Sequence, residues 1–387
     1  MRAIEILDTT LRDGEQSPGA AMTPAARLRI ARMLAAAGVD TIEAGFPAAS
    51  PLVARSVEQI ATHVRSVRVA ALARCNVRDI DAAADALRDA HAPRIHTFLA
   101  TSPIHLQHKL RITLEQALEC VTDGVRHARR RCDDVEFSAE DATRSDPSFL
   151  ARIFSVAIAA GARTINVPDT VGFATPADMS ALVGYLIANV DGIEKASLSV
   201  HTHDDLGMAT ANALAAIAAG ANQVECTING IGERAGNCAL EEIVVAVSTR
   251  PDAFACEIGF ELGAIRALSQ AVARATGMRV QKNKAIVGAN AFAHESGIHQ
   301  DGIIKERSTY EIIDPRSIGG STELPLGRNS GRKALFHRAA QLGLEFDDLS
   351  RAHFARAFAA FAERRRVVRD ADLITLARGV TSTLVPL

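Results

Sequence analysis

The chain has 387 residues, of which 48% are hydrophobic and 23% are charged, a composition typical of folded globular proteins and not of disordered ones. Its 43 lysine and arginine residues nearly balance its 45 acidic residues, and the net charge of -2 excludes the basic surface that nucleic-acid binding requires. No apolar run approaches the roughly 20 residues of a membrane span, and no signal peptide opens the sequence. The six cysteines form no Cys-x-x-Cys pair. We expect a cytoplasmic protein that acts on small molecules, without nucleic-acid or membrane partners.

Short β-branched runs alternate with alanine-rich segments of helical spacing over roughly the first 250 residues. Three of the helical segments span residues 24–37, 114–130 and 176–189, and Thr-Pro pairs open the first and the third. Eight βα units favour a closed (β/α)8 TIM barrel over a doubly wound sheet, which would usually show Gly-x-Gly-x-x-Gly after the first strand. The predicted strands are residues 4–7, 41–44, 67–72, 94–99, 135–138, 164–167, 197–200 and 223–227.

Beyond about residue 250 the alternation stops and helical patterns dominate. A helix is predicted from Leu262 to Gly277, and an amphipathic one from Leu349 to Arg365, with a loop-rich stretch between them. We therefore predict a barrel domain over residues 1–275 and an appended, mostly helical module over residues 276–387.

Two patterns at predicted strand ends suggest a metal site. His201 and His203 are two positions apart at the end of the seventh strand, so their side chains point the same way, into the barrel mouth. Asp8 ends the first strand, which neighbours the eighth in a closed barrel, and a glycine-rich loop after the eighth brings Asn237 over the mouth. Two nitrogens and two oxygens suit a divalent cation with open positions.

Other interpretations of these residues stay open. Asp8 and Arg12 could form a turn with a surface ion pair, and a His-x-His pair is often only hydrogen-bonded to its neighbours. Asp204 and Asp205 are interpreted as solvated caps. At the end of the fifth strand Glu140 is favoured for chemistry, whereas Asp141 and Arg144 are expected to open the next helix.

Three motifs together resemble the Claisen-condensing metallolyases of the α-isopropylmalate and homocitrate synthase family: Asp-Thr-Thr-Leu-Arg-Asp-Gly-Glu-Gln, His-Thr-His-Asp-Asp-Leu-Gly and Gly-Glu-Arg-Ala-Gly-Asn. Four further segments, which begin at residues 96, 136, 166 and 294, are similar to the 2-isopropylmalate synthase branch. The resemblance runs from residue 4 to about residue 370. It implies an acyltransferase that condenses acetyl-CoA with 2-oxoisovalerate, using a divalent metal ion (Mn, Mg or Zn).

The resemblance also implies roles for individual residues. Asp8, His201, His203 and Asn237 would bind the metal, and Arg12 would steady the keto oxygen as it becomes an alkoxide. The carboxylate of the keto acid would be held by His96 and Thr170, and its alkyl group would lie against Ser138, Asn166 and Pro168. In the family a histidine and a tyrosine of the appended module reach the barrel of the partner subunit. His299 and Tyr310 occupy those positions, which implies a homodimer, and Glu140 would complete the proton-transfer group with His299.

Three alternatives remain at this stage. The same chemistry on 2-oxoglutarate or pyruvate would make homocitrate or citramalate, although the pocket residues suit a small branched alkyl group better. An acyl-CoA lyase is less favoured, because related lyases have a cysteine inside the glycine-rich loop and here the nearest, Cys238, follows it. A barrel without catalytic activity would be expected to lack one or more of the metal ligands, and none of the predicted ligands is missing. Full-length synthases of this kind usually carry a further leucine-binding domain of about a hundred residues, a common domain size, and we expect it to be absent here. A naturally short form, a relative of the homocitrate type and a truncated sequence are all open explanations.

Overall fold

The computed structural model describes residues 1–365 and 367–382 and divides the chain into two compact units. The first is Met1–Val280, and the second begins at Gln281. The boundary predicted from the sequence, between residues 275 and 276, falls in the last turn of the helix Ile265–Thr276. Among the described residues, no helix is both long and apolar enough to cross a membrane.

The first unit is a closed barrel of parallel strands, as the sequence predicts. Strands β2 to β9 follow one another around the barrel in chain order, and β9 pairs with β2 to close it. A separate parallel pair, β1 with β10, lies outside the barrel. The strands are β1 Arg2–Ala3, β2 Glu5–Asp8, β3 Thr41–Glu43, β4 Arg68–Arg74, β5 Pro93–Ala100, β6 Val135–Glu140, β7 Thr164–Asp169, β8 Ser197–Thr202, β9 Gln223–Cys226 and β10 Cys256–Glu257.

Helices surround the barrel, and their first residues follow the capping signals in the sequence. Thr23 and Thr175 each precede a proline and accept a hydrogen bond from a backbone N–H of the first helical turn, which satisfies a donor that the helix leaves free. Thr113 forms a capping box with Gln116. The helices of this unit are α1 Pro24–Ala37, α2 Pro51–His63, α3 Val77–Ala86, α4 Leu114–Arg131, α5 Pro147–Ala160, α6 Pro176–Asn189, α7 Ala209–Ala219, α8 Leu240–Thr249, α9 Pro251–Phe254 and α10 Ile265–Thr276.

A polar layer fills the barrel interior near the amino-terminal ends of the strands. Arg94 Nη1 donates to Glu136 Oε2 at 2.9 Å and to Gln223 Oε1 at 2.8 Å. Gln223 Nε2 donates in turn to Glu136 Oε1 at 2.8 Å and to Ser199 Oγ at 2.9 Å. Because these buried groups pair with one another, the layer is closed and forms the floor beneath the barrel mouth.

The second unit is mostly helical and has its own apolar core. Its helices are α11 Gly297–Lys305, α12 Arg332–Gln341, α13 Asp348–Ala362 and α14 Asp370–Ser382. The predicted amphipathic helix corresponds to α13, whose Phe354 and Phe358 are buried against Leu335 and Leu373. The ring of Phe346 stacks on that of Phe354 with 4.5 Å between centroids.

Candidate active site

The carboxyl ends of the barrel strands surround a cavity of about 320 Å³. Parallel strands all end at the same rim, so side chains distant in sequence meet there. Nine of the predicted site residues lie on its wall: Arg12, His96, Ser138, Glu140, Asn166, Pro168, Thr170, His201 and His203.

Three potential metal ligands converge on one point of this cavity. His201 Nε2 and His203 Nε2 lie 3.0 Å apart, and Asp13 Oδ2 lies 3.6 Å from the first and 3.7 Å from the second. All three side chains are buried. Asn237 joins the group from the glycine-rich loop, where its Nδ2 donates to Asp13 Oδ2 at 2.6 Å and to the carbonyl of Ile231 at 3.0 Å.

The donors of this group fit a divalent cation. Glu225 Oε2 lies 2.9 Å from His201 Nδ1, which places the proton on that nitrogen and leaves Nε2 free to coordinate. Two imidazole nitrogens facing each other at 3.0 Å need a proton or a cation between them. Asn237 Oδ1 is buried and has no hydrogen-bond partner among the described residues. Imidazole nitrogens with carboxylate and amide oxygens are ligands that Mn²⁺, Zn²⁺ and related ions accept.

Asp8 is not a member of the group, and its predicted place is taken by Asp13. The Asp8 carboxylate accepts hydrogen bonds from the backbone N–H and the hydroxyl of Thr10, at 3.0 and 2.9 Å. The reason is strand alternation: Thr9 faces the interior, where its hydroxyl donates to Glu43, so Asp8 faces outward. After the strand the chain turns, with Gly14 N bonded to the carbonyl of Thr9, and the turn brings Asp13 back over the mouth.

The carboxylate of Glu43 lies between Arg12 and His96 and contacts both. It accepts from Arg12 Nε at 2.5 Å and from the hydroxyl of Thr9 at 2.7 Å. Its other oxygen lies 2.7 Å from His96 Nδ1, and His96 Nε2 lies 2.6 Å from the hydroxyl oxygen of Ser138. Arg12 therefore lines the cavity, and its hydrogen bond to Glu43 fixes the orientation of its guanidinium.

Buried charges set the protonation of this network. Burial alone would lower the pKa of His96, but the carboxylates of Glu43 and Glu225 outweigh burial and raise it to about 9. Burial would likewise raise the pKa of Glu43, yet the charges of Arg12 and His96 hold it well below its ordinary value. Glu43 is therefore ionised and His96 carries both ring protons at neutral pH.

Sequence reasoning missed Asp13, Glu43 and Glu225. One sequence pattern could have indicated two of them, because Glu43 and Glu225 are acidic residues within predicted strands. In the structure, Glu225 pairs in register with His201. A carboxylate that faces a predicted metal-binding histidine inside a barrel is a natural partner for its second nitrogen.

Glu140 and Thr170 occupy the opposite wall. Glu140 accepts from Lys109 Nζ at 2.7 and 2.9 Å, and His105 Nδ1 lies 3.6 Å from it. Thr170 Oγ1 accepts from the backbone N–H of Asp141 at 2.9 Å, so its own proton is left to donate. The Asp141 side chain is bound by Arg144 at 2.8 Å.

The two acids after His203 have structural partners. Asp204 Oδ1 accepts from the backbone N–H of Ala209 at 2.9 Å, at the start of α7. Asp205 forms a two-point ion pair with Arg234, with both oxygens 2.8 Å from guanidinium nitrogens.

His299 and Tyr310 lie together on the second unit. Their rings stack with 4.0 Å between centroids, and both are exposed. The neighbouring His294 is held by the buried carboxylate of Glu311 at 3.2 Å. The exposed pair is available to a partner, and its predicted reach into another subunit's barrel stays a prediction.

Comparison with known proteins identifies the family of both units. A family model described as HMGL-like matches residues 3–272, and a model described as homocitrate synthase post-HMGL domain-like matches residues 286–366. The 2-isopropylmalate synthases of Rhodopirellula baltica and Pyrococcus furiosus are each 52% identical to the chain, over 100% and 96% of its length and 73% and 75% of their own. That of Heliobacterium modesticaldum is 54% identical over 97% of the chain and 73% of its own length.

Solved structures show the same fold at lower identity. A hydroxymethylglutaryl-CoA lyase from Pseudomonas aeruginosa superposes with a TM-score of 0.62 and 23% identity, covering 72% of this chain and 95% of its own. The carboxyl transferase domain of Rhizobium etli pyruvate carboxylase gives 0.57 and 17%, covering 100% of this chain and 62% of its own. With relatives above half identity over nearly its whole length, the chain belongs to the HMGL-like family and, within it, to the 2-isopropylmalate synthase family.

Proposed function

We propose that the chain is an acyltransferase that condenses acetyl-CoA with 2-oxoisovalerate to give 2-isopropylmalate and CoA, a step of leucine biosynthesis. The observation that carries the proposal is the buried Asp13, His201 and His203 group beside Arg12 in a cavity that also has an apolar wall. The names of the relatives support the same reaction.

Asp13, His201, His203 and Asn237 would hold the metal ion, so the proposed ligand set replaces Asp8 by Asp13. A bound Mn²⁺, Mg²⁺ or Zn²⁺ would supply Lewis acidity toward the keto group of the substrate. Glu225 contributes by fixing the ring orientation of His201.

Arg12 is proposed to stabilise the negative charge that develops on the keto oxygen. Its guanidinium is held by Glu43 at 2.5 Å, Asp13 at 3.4 Å and Glu225 at 3.9 Å, and the side chain is 13% exposed. A donor that is already oriented needs no reorganisation when charge appears in the transition state.

Proton transfer is assigned to Glu140, His299 and Tyr310. The methyl group next to a thioester is a weak acid, so its proton must be taken by a positioned base, for which we propose His299 supported by Glu140 or Tyr310. Glu140 lies in the barrel cavity, where it accepts a hydrogen bond from Lys109 Nζ. His299 and Tyr310 belong to the second unit. On the family resemblance, we propose a homodimer in which they complete the active site of the partner subunit.

The remaining wall residues are proposed to bind the keto acid. The Thr170 hydroxyl would donate to its carboxylate, and Pro168 would contact its alkyl group together with Phe46, Leu72 and Phe98. His96 has both ring nitrogens engaged by Glu43 and Ser138, so its proposed contribution to binding is through Ser138.

A dicarboxylate substrate is not favoured. Two further cations line the cavity, but Lys109 is paired with Glu140 and Arg234 with Asp205. Binding a second substrate carboxylate would require one of these pairs to break. The relatives, all named for 2-isopropylmalate, agree with this preference over 2-oxoglutarate and pyruvate.

The test is the release of free CoA thiol from acetyl-CoA with 2-oxoisovalerate, 2-oxoglutarate, pyruvate and glyoxylate offered separately. We expect the highest kcat/KM with 2-oxoisovalerate. A preference for 2-oxoglutarate or pyruvate would keep the chemistry and change the substrate, and no release with any of the four would reject the proposal.

The proposed location is the cytoplasm, since cysteines without a disulfide framework suit a reducing compartment.

A further inference from the structure

Two residues on the cavity wall carry polar atoms whose hydrogen-bonding capacity an isopropyl group cannot use. Ser138 on β6 and Asn166 on β7 are neighbours in register, and their side chains line the cavity. They are 6% and 1% exposed, so solvent cannot satisfy them freely. Buried polar atoms normally have partners, and the exceptions are often places where a ligand or a water binds.

The Ser138 hydroxyl already accepts two hydrogen bonds. One comes from His96 Nε2 at 2.6 Å and the other from Asn166 Nδ2 at 2.8 Å. A hydroxyl has two acceptor lone pairs and one proton, so the Ser138 proton must be donated elsewhere. The remaining direction is the cavity that the side chain lines.

His96 is the donor in its contact with Ser138. Its Nδ1 faces Glu43 Oε1 at 2.7 Å and must carry a proton, and its Nε2 lies 3.9 Å from Glu225 Oε1. A histidine between carboxylates is held in the doubly protonated form. Nε2 therefore donates, and Ser138 does not have to give its proton to His96.

Asn166 supplies the complementary group. Its Nδ2 is used on Ser138, and its Oδ1 has no hydrogen-bond partner among the described residues. One free donor and one free acceptor thus stand on adjacent strands of the same wall. A methyl group can satisfy neither, whereas a hydroxyl can accept from Ser138 and donate to Asn166.

We propose that Ser138 and Asn166 form a hydroxyl-binding subsite, so that the enzyme also accepts short 2-oxo acids in which a hydroxyl replaces a methyl of the alkyl group. The inference rests on the proposed function, since it extends the substrate range of the same site. The apolar side chains of Phe46, Leu72 and Phe98 limit the remainder of the substituent to a small size.

The simplest such substrate is hydroxypyruvate, which differs from 2-oxobutyrate only by a hydroxyl in place of a methyl. The methyl carbon of acetyl-CoA loses a proton and bonds to the keto carbon, and the keto oxygen gains a proton. Water then cleaves the carbon–sulfur bond of the thioester. The products are 2-(hydroxymethyl)malate and CoA, so the equation balances with one water consumed and no oxidant.

The test compares kcat/KM for hydroxypyruvate and 2-oxobutyrate in the wild type, in Ser138→Ala and in Ser199→Ala. In each protein the kcat/KM for hydroxypyruvate is divided by the kcat/KM for 2-oxobutyrate. Comparing this ratio between proteins cancels the difference in intrinsic reactivity of the two substrates. We expect Ser138→Ala to lower the hydroxypyruvate to 2-oxobutyrate ratio by about tenfold or more, because a buried hydrogen bond is lost. Ser199→Ala removes a buried barrel serine that does not line the cavity and should leave the ratio unchanged.

The outcomes separate the two proposals. Turnover of 2-oxoisovalerate together with a ratio that Ser138→Ala does not change, or with no turnover of hydroxypyruvate, overturns the subsite. No turnover of 2-oxoisovalerate in the wild type rejects the proposed function instead. If circular dichroism shows that Ser138→Ala is unfolded, Ser138→Cys, whose side chain is slightly larger and donates only weakly, takes its place in the same comparison.

Discussion

Asp8 and Asp13 belong to one short segment, yet only Asp13 reaches the histidines. Asp8 ends a strand with its side chain directed outward, whereas Asp13 follows the turn that returns the chain to the mouth. Either carboxylate is chemically suitable as a ligand, and the alternation of side chains along the strand decides between them. At the scale of the residue, the metal proposal is therefore a claim about one particular carboxylate.

We expect Asp13→Asn to lose bound metal and turnover, and Asp8→Asn to keep both. The first substitution removes a charged ligand, while the second alters a side chain whose contacts are to Thr10. Metal content after dialysis against Mn²⁺, measured by mass spectrometry, and CoA release are the two readouts. Loss of metal in Asp8→Asn with retention in Asp13→Asn would restore the ligand set predicted from the sequence.

Asp8 also gives a pH dependence of stability. Burial, opposed by the Thr10 hydrogen bonds and assisted by Glu241 and Glu43, raises its pKa from 3.8 to about 7. The folded state then binds a proton that the unfolded state has lost, so this group makes stability fall as pH rises from about 4 to about 7. We expect Asp8→Asn to be more stable than the wild type at pH 8, by roughly 4 kcal/mol, and no more stable at pH 4.

Calorimetric unfolding at several pH values measures this difference. Thr10→Ser, which keeps a hydroxyl for Asp8, is the matched control and should follow the wild-type pH dependence. Parallel curves for wild type and Asp8→Asn between pH 4 and 8 would show that Asp8 is ionised throughout.

At the scale of the element, the sequence predicts most of the barrel because strand and helix signals are local. Thr23 and Thr175 open helices through their own hydroxyls, and the β-branched runs become strands with shifts of a few residues. Strand ends are set instead by long-range pairing, and the sequence alone did not show that the Asp8 side chain faces away from the two histidines. The partners of Arg12 and His96 come from distant strands, and local patterns do not reveal them.

The contact between α4 and the end of β4 tests how tightly these elements pack. A Cβ added to Gly124 would lie 2.2 Å from Cys75 Sγ, inside any van der Waals contact. We expect Gly124→Ala to lower the free energy of unfolding by about 1–3 kcal/mol, as overpacking does. In a Cys75→Ala background the same change should be neutral or stabilising by up to about 1 kcal/mol, because alanine favours the helix.

Denaturant unfolding of the wild type, the two single variants and the double variant gives the coupling energy between the two sites. An equal effect of Gly124→Ala in both backgrounds would mean that α4 lies farther from Cys75 than the structure places it.

At the scale of the whole molecule, the proposed active site needs groups from both units. The proposed metal ligands and Arg12 belong to the first unit, and the proposed proton-transfer residues His299 and Tyr310 belong to the second. The sequence suggested this division only through family resemblance. No local sequence pattern in the second unit indicates whether His299 acts at the barrel of its own chain or at that of the partner subunit.

Mixing two inactive variants tests the shared site. In a homodimer whose sites combine one barrel with the partner's second unit, His299→Ala and Arg12→Ala can form hybrids with one intact site. After complete subunit exchange we expect about a quarter of wild-type CoA release, since half of the dimers are hybrids and each has one intact site. Arg12→Ala mixed with Asp13→Asn is the control and should recover nothing, because both changes lie in the barrel. Absence of recovery with His299→Ala, despite exchange confirmed by mass spectrometry, would place each site within one chain.

The central claim is a metal-dependent condensation on 2-oxoisovalerate, and identification of its product tests that claim most directly. Metal-stripped protein is incubated with acetyl-CoA labelled with ¹³C in the methyl group and with 2-oxoisovalerate, before and after addition of Mn²⁺, and the product is identified by NMR. We predict 2-isopropylmalate with the label in the new methylene group, formed only after the metal is restored. Release of CoA without labelled 2-isopropylmalate, or equal product with and without metal, would contradict the account.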